Sequence, residues 1–379
     1  MGGLSLAEVR NMSLHKAAHT IIAYTSPFQL VFRDTKDKWS PSLEQINRNG
    51  YDSIKLHRLS ASLDIGLPTP LCMHITLDGA LLLPRVRQFW PIEKAVATFN
   101  TVLGEILLGG IYFESIQPTD IDQGILYVTG YYRPLGHAKG FPGQLRYGLQ
   151  AKIASPLHSI LLYNPCHVFA GDIHAARKRG AAIRSRFKTL SVEFLLQGVS
   201  SFVAHDWAGA LSHLWVSLEQ IVSSLWEEHV VIGGVQPIPP IKNRTEFLQD
   251  HRTWIISARL DVLFQRGILS DVAYRYLSLA RKARNELAHK GITPTKQSAE
   301  AVLDGLFEVI ASVQPKGTDP RLSEVITGIK ARDPAERHYV MPKVVEGDGG
   351  GLWLGPLPPI PGEKEWGDKE YEKVYPSKN

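Results

Sequence analysis

The feature that most limits how this chain can fold is a long helical pattern of apolar residues in its second half. From residue 207 to 226 these residues recur at intervals of three and four over about five turns, so they form one stripe along a helix. The stripe contains Trp207, Ala210, Leu211, Leu214, Trp215, Leu218, Ile221, Val222, Leu225 and Trp226. Other helices must cover such a surface, so the pattern predicts a helical bundle.

Three further helices are predicted to supply that cover. The second runs from about Thr245 to Gln265 with a break inside it, and the third lies between Ser270 as N-cap and Gly291 as C-terminal stop. The fourth begins after Thr295. The predicted core positions of the third helix are Val272, Tyr276, Leu279, Ala280, Ala283 and Leu287. Those of the fourth are Val302, Leu303, Leu306, Phe307 and Ile310.

The first half of the chain mixes helical and strand patterns. The pair Asp78-Gly79 stands between two apolar runs and predicts a two-residue hairpin. Residues 91–110 have helical spacing between a proline and two glycines, so they predict a helix. Residues 111–117 and 124–132 are predicted strands. This half contains no internal repeat, phosphate-binding loop or dinucleotide-binding fingerprint.

Together the patterns predict an α+β fold class in three parts. Residues 1–190 are expected to form a mixed α/β domain, and residues 191–314 an all-α four-helix bundle. Residues 315–379 include the run GDGGGLWLGPLPPIPG and are expected to form a Pro/Gly-rich tail.

Composition narrows the functional classes. A net charge of +5 favours an acidic partner such as nucleic acid, although the same charge can simply aid solubility. Cys72 and Cys166 are the only cysteines, too few for a disulfide framework and not spaced as zinc ligands. No apolar run reaches about 18 residues, and the first residues are not typical of a signal peptide. We therefore expect a cytoplasmic protein without a membrane span, a metal site or a cofactor.

A strongly basic stretch lies between the two halves. Residues 174–188 contain six cations and no acid, which is typical either of a solvated helix face or of a strip that contacts RNA phosphates. The cations are Arg177, Lys178, Arg179, Arg184, Arg186 and Lys188.

The end of the third predicted helix carries the motif most specific to chemistry, ARKARNELAHKG, residues 280–291. Within it, Arg284, Asn285 and His289 form the pattern R-N-x-x-x-H. At 100° per residue Asn285 and His289 lie about 40° apart, whereas Arg284 is about 140° from His289. One helix therefore cannot easily place Arg284 and His289 around the same small ligand. Two copies of the helix related by a two-fold axis can line one cleft with both residues.

These residue types suit the cleavage of RNA, which carries its own nucleophile in the 2′-hydroxyl. Histidine can transfer a proton near neutral pH because its unperturbed pKa is about 6.5. Arginine is always charged and can stabilise the charge that develops on the phosphorane. Asn285 can hold a phosphate oxygen or orient the imidazole. This chemistry requires no metal.

With this motif and the four predicted helices, residues 191–314 resemble the HEPN family, and ARKARNELAHKG is most similar to its Apea-like branch. The resemblance covers about a third of the chain. It implies a homodimer whose paired motifs form a metal-independent ribonuclease site, with Arg284 binding phosphate, Asn285 as its polar companion and His289 as the catalytic histidine. It also implies a role in toxin–antitoxin, abortive-infection or other anti-phage systems, with an antitoxin or sensor partner. Residues 1–190 would then be a sensor or regulatory domain.

Three alternatives stay open at this point. Basic residues in a last helical turn also favour the negative end of the helix dipole, which needs no active site. The bundle can equally be a non-enzymatic module that dimerises and binds nucleotide, nucleic acid or protein, and an unrecognised activity can lie in residues 1–190. The neighbours of the motif are either further RNA contacts or solvated cations: Arg281, Lys282 and Lys290.

Overall fold

The computed structural model describes residues 17–67, 71–89, 91–136, 138–234, 241–313 and 321–330. Most of the predicted Pro/Gly-rich tail lies outside these ranges. Within them the fold is α+β, with an antiparallel sheet in the first half and helices in the second. None of the helices in these ranges combines the length and the apolar character needed to cross a lipid bilayer.

Eight strands are found in the described ranges: β1 Ala17–Ala23, β2 Leu30–Phe32, β3 Leu59–Leu63, β4 Met73–Thr76, β5 Leu81–Pro84, β6 Ile121–Tyr127, β7 Tyr132–Pro134 and β8 His167–Phe169. Six of them form one antiparallel sheet in the order β3-β4-β5-β1-β6-β7, and the short strands β2 and β8 pair in parallel. The sheet curls, because its two edge strands come together: Arg58, just before β3, forms a β-bridge with Tyr131, just before β7.

Twelve α-helices are found in the described ranges. Five belong to the first 190 residues: α1 Leu43–Asn47, α2 Ile92–Leu108, α3 Phe141–Gln150, α4 Pro156–Ser159 and α5 Ala170–Arg186. Seven follow: α6 Val192–Val203, α7 Trp207–Trp226, α8 Arg244–Gln249, α9 Ile256–Gln265, α10 Asp271–Lys290, α11 Lys296–Ser312 and α12 Arg321–Lys330. Helix α12 lies inside the segment predicted as tail.

The predicted hairpin at Asp78-Gly79 is confirmed, because β4 and β5 pair across it. Gly79 has φ of +79°, a conformation that glycine adopts without strain. The Asp78 carboxylate is buried and accepts hydrogen bonds from the hydroxyl of Tyr132 at 3.1 Å and the amide of Gln150 at 2.9 Å. Arg146 donates from Nε to the Asp78 carbonyl oxygen at 2.9 Å. Asp78 therefore fastens the hairpin to β7 and α3.

The helix predicted at 91–110 is confirmed as α2, whereas the strand predicted at 111–117 is wrong. That segment is held by a side chain instead of a neighbouring strand. Asn100 of α2 donates from Nδ2 to the carbonyl of Ile116 at 3.0 Å, and its Oδ1 accepts from the Ile116 amide at 2.7 Å. A buried amide thus supplies the hydrogen bonds that a sheet would have supplied.

The helices predicted after residue 207 are confirmed as α7 to α11. The break expected in the second one separates α8 from α9. Ser270 accepts from the Ala273 amide at 3.1 Å and Thr295 accepts from the Ser298 amide at 3.3 Å, so both act as the expected N-caps. Helix α7 packs against α6, α9, α10 and α11, and α10 packs along α11.

The described residues up to Lys330 group as one compact unit. The described apolar core runs without interruption from Ile21 and Leu83 of the sheet through Phe99 of α2 to Leu218 of α7 and Leu306 of α11. The contact between α2 and α5 is especially close: a Cβ on Gly180 would come within 1.7 Å of the Glu105 carbonyl oxygen. The boundary expected at residue 190 stays a prediction.

Candidate active site

Both ends of α10 are fixed, and the R-N-x-x-x-H motif occupies its last two turns. Gly291 follows the helix with φ of +67°, and its amide donates to the Leu287 carbonyl at 3.1 Å. The amide of Ile292 donates to the Glu286 carbonyl at 3.3 Å. These two bonds satisfy carbonyls that a helix end otherwise leaves without partners, so the last turn that carries His289 is held in place.

The motif side chains differ in exposure. Asn285 and His289 are exposed, whereas Arg284 is half-buried. Arg284 donates from Nη1 to Oδ1 of Asn285 at 3.4 Å, the long end of hydrogen-bond distances. No described residue forms a hydrogen bond or an ion pair with the imidazole of His289. One chain therefore brings Arg284 and Asn285 together and leaves His289 open to solvent.

The buried face of α10 is rotated from the predicted one. Its fully buried residues are Ala273, Leu277, Ala280 and Ala283. The prediction that Val272 and Leu279 belong to the core is wrong: they are 51% and 54% exposed. Because small alanines let α10 lie close to α11, the contact follows the alanine positions instead of the largest apolar side chains.

This rotation explains the position of Arg284. Seven residues after Leu277, Arg284 lies on the same face of α10 and is half-buried. Of the three neighbouring cations, Arg281 is half-buried, while Lys282 and Lys290 are exposed. They add positive charge around the motif, as the sequence predicted, and their contact with RNA stays a prediction.

The basic strip lies along α5, and two of its arginines pair with one buried carboxylate of α2. Arg177 donates from Nε to Glu105 at 3.2 Å, and Arg184 donates from Nη1 to the other oxygen of Glu105 at 2.8 Å. Arg177 also donates to the backbone carbonyl of Asp64. Both guanidinium groups therefore help to hold α5 against α2.

Two more arginines of the strip have partners in the protein. Arg179 donates to the Gly109 carbonyl at 2.7 Å, and Arg186 pairs with Glu228 at 2.8 Å. The phosphate-contact role of the strip stays a prediction, but these bonds give its arginines a role in folding as well. The remaining cations of the strip are exposed: Lys178 and Lys188.

A cavity of about 540 Å³, which was not predicted from the sequence, lies between α7 and the start of α9. Its wall includes Arg259, which is 3% exposed, and Trp254, whose indole Nε1 is buried without an acceptor among the described residues. No motif marks these residues in the sequence. Only the packing of α9 against α7 brings them to one wall.

The described residues contain no group of three or more His, Cys, Asp or Glu side chains placed to hold a metal ion. Comparisons of the chain with family models, with curated proteins and with solved structures gave no match.

Proposed function

We propose that this chain is a metal-independent endoribonuclease that acts as a homodimer, with Arg284, Asn285 and His289 of both copies lining one cleft. The observation that carries the proposal is that His289 is exposed on a well-fixed last turn of α10. Its last turn is fixed by two hydrogen bonds, yet the imidazole of His289 is exposed and has no partner in the described chain. An accessible imidazole on a rigid element suits general acid–base catalysis.

The proposed step is the attack of the RNA 2′-oxygen on the adjacent phosphorus. A bond forms between the 2′-oxygen and phosphorus, and the bond from phosphorus to the 5′-oxygen breaks. The products are a 2′,3′-cyclic phosphate and a 5′-hydroxyl. His289 takes the proton from the 2′-hydroxyl or gives one to the leaving 5′-oxygen, and the two copies of His289 can divide these tasks. Arg284 stabilises the charge on the phosphorane oxygens, and Asn285 positions the guanidinium through its Oδ1.

The dimer is supported by the outer surface of α10. Val272 and Leu279 are seven residues apart, so they share one face, about 80° around the helix from His289. Both are more than half exposed in the single chain. A second copy packed on this face would cover them and bring two motifs together across the two-fold axis.

The resemblance of residues 191–314 to the HEPN family, Apea-like branch, supports a biological role. We infer an effector in bacterial abortive infection, another anti-phage defence, or a toxin–antitoxin pair. Residues 1–190 would sense or regulate, and an antitoxin or other partner protein would control the nuclease in the cytoplasm.

The test compares wild type with His289→Ala and with His19→Ala, a matched control that removes another exposed histidine. Each protein is incubated with total RNA and with tRNA in EDTA, and the product ends are analysed. We expect 2′,3′-cyclic phosphate ends from wild type and His19→Ala, and a loss of about 10²- to 10⁴-fold in His289→Ala. Equal cleavage by wild type and a folded His289→Ala would refute the mechanism. No cleavage by any variant would favour the non-enzymatic binding module.

A further inference from the structure

The exposed apolar side chains of the described chain are concentrated in one stretch, residues 135–163. Nineteen large apolar residues are exposed in the described ranges, and eight of them lie in this stretch, which holds only about a tenth of the described residues. Six of the eight are Leu135, Phe141, Tyr147, Ile153, Leu157 and Tyr163. Single exposed apolar residues are normal on a protein, whereas a cluster of them marks a surface that binds a protein or a membrane.

These exposed apolar residues share one surface, which we call the α3–α4 surface. Helices α3 and α4 pack against each other, and the ring centroid of Phe141 in α3 lies 5.6 Å from that of His158 in α4. Leu135 and Tyr147 line one cavity of about 320 Å³. The α3–α4 surface therefore runs from the segment after β7, across α3, to α4.

The most exposed members of the α3–α4 surface project from the protein. Leu157 is 83% exposed and Ile153 is 67% exposed. The walls of a groove would cover side chains that line it, so exposures this high indicate projections. A protein partner would need a matching pocket for each projection. The boundary between lipid headgroups and acyl chains accepts separate apolar side chains without such pockets.

Cations accompany these apolar side chains, and acids do not. Arg133, Lys139 and Lys152 each lie within two positions of an exposed apolar residue of the surface, and the sequence has no Asp or Glu from 123 to 171. Arg133 and Lys139 are exposed, and Nζ of Lys152 lies 5.7 Å from the ring centroid of Tyr51. Positive charge without nearby acids is complementary to an anionic surface.

Acids on the neighbouring elements do not cancel this charge. Asp120 and Asp122 precede the stretch and are buried. Glu44 belongs to α1, which packs against α4, and forms an ion pair with Arg48 at 2.9 Å. Asp52, before the turn 53–57 that packs against α3, is exposed. The three cations outnumber this acid, so the α3–α4 surface keeps a positive charge.

We propose that the α3–α4 surface binds the anionic surface of a lipid bilayer. Phe141, Ile153 and Leu157 enter the boundary between headgroups and acyl chains, while the three cations bind lipid phosphates. Tyr147 and Tyr163 suit the level of the headgroups, because a tyrosine ring is apolar and its hydroxyl is polar. Such peripheral binding needs no helix that spans the membrane.

A second copy of this chain fits the α3–α4 surface poorly. In a symmetric pair each copy presents the same surface, so two sets of cations would meet without acids between them. An anionic bilayer supplies the opposite charge instead. Because this surface is separate from Arg284 and His289, its binding to a bilayer does not depend on the proposed ribonuclease activity.

The test is flotation of the full-length protein with vesicles in a density gradient. One set of vesicles is phosphatidylcholine alone, and the other is phosphatidylcholine mixed with the anionic lipid phosphatidylglycerol. Ile153→Glu places a carboxylate on the α3–α4 surface, and Ile232→Glu is its matched control because Ile232 is 70% exposed outside this surface. Lys139→Gln removes one cation, and Lys178→Gln removes an exposed cation of α5 as its control. Circular dichroism checks that each variant is folded.

We expect wild type and both controls to bind the vesicles with phosphatidylglycerol more tightly than those without it. Ile153→Glu should bind them at least about tenfold more weakly, and Lys139→Gln about fivefold more weakly. The proposal is overturned if wild type binds no vesicle up to about 1 mM lipid, which would favour an acidic protein partner. It is also overturned if Ile153→Glu binds as tightly as Ile232→Glu.

Discussion

Replacing Gly180 with alanine should destabilise the protein by forcing α2 and α5 apart. The new Cβ would be 1.7 Å from the carbonyl oxygen of Glu105 and 2.6 Å from its carbonyl carbon. Real Cβ atoms essentially never come within 3.0 Å of a heavy atom outside their own stretch of chain. The helices must therefore separate by about 1.3 Å. The obstacle is backbone, so no rotamer change can relieve it.

The magnitude follows from two opposing effects. Overpacking in a well-packed core typically costs about 1–3 kcal/mol, and a backbone obstacle puts this site at the upper end. Alanine in a helix interior is favoured over glycine by about 1 kcal/mol. The expected net loss in the free energy of unfolding is about 2 kcal/mol, or about 3 °C in Tm for a compact unit of this size. The separation would also stretch the ion pairs that join Glu105 to Arg177 and Arg184.

The matched control lies in the same helix. A Cβ on Gly171 would meet no atom within 4 Å, so Gly171→Ala should be neutral or slightly stabilising. Urea unfolding followed by circular dichroism measures both variants against wild type. If Gly180→Ala proved as stable as Gly171→Ala, the close approach of α2 and α5, and with it the structural role given to the basic strip, would be wrong.

Two further predictions concern the dimer and pH. Leu279→Glu should weaken the proposed dimer by about 2 kcal/mol or more while leaving the fold intact. Light scattering measures the dimer and circular dichroism the fold, with Leu157→Glu as the control. A wild type that is already monomeric would contradict the dimer. Burial lowers the pKa of the His57 imidazole, with the Asp78 carboxylate opposing, so the unfolded chain binds more protons near pH 6. The contribution of His57 to the free energy of unfolding should therefore be complete above about pH 6.5 and decrease below it. Urea unfolding should show a smaller decrease of this free energy at low pH in His57→Gln than in wild type. An identical pH dependence in this variant would argue against a buried neutral imidazole.

The sequence predicted the parts of the structure that depend on near neighbours. The caps at Ser270 and Thr295, the stop at Gly291 and the hairpin at Asp78-Gly79 each rest on residues within a few positions of one another. Helical spacing likewise located α7, α10 and α11, because their apolar residues recur every three or four positions along consecutive turns.

The wrong prediction of a strand at 111–117 shows that contacts between distant residues cannot be predicted in this way. Apolar residues in a short run fit a strand, but a run alone does not say whether a partner strand exists. The amide of Asn100 takes up the backbone groups of Ile116 instead, across 16 positions of sequence. The same limit applied to α10. Its predicted core included Val272 and Leu279, but packing against α11 buries Ala273 and Leu277 instead.

For the candidate active site, the sequence alone determined that Arg284, Asn285 and His289 stand at the end of one helix, since helix geometry and a glycine stop suffice for that. Tertiary structure decided that Arg284 is half-buried and that His289 faces solvent. The burial of Arg259 beside Trp254 also depends on tertiary structure alone. The same holds for the ion pairs of Arg177 and Arg184 with Glu105. These outcomes depend on contacts between distant segments, whose free energies are set only when the whole core is packed.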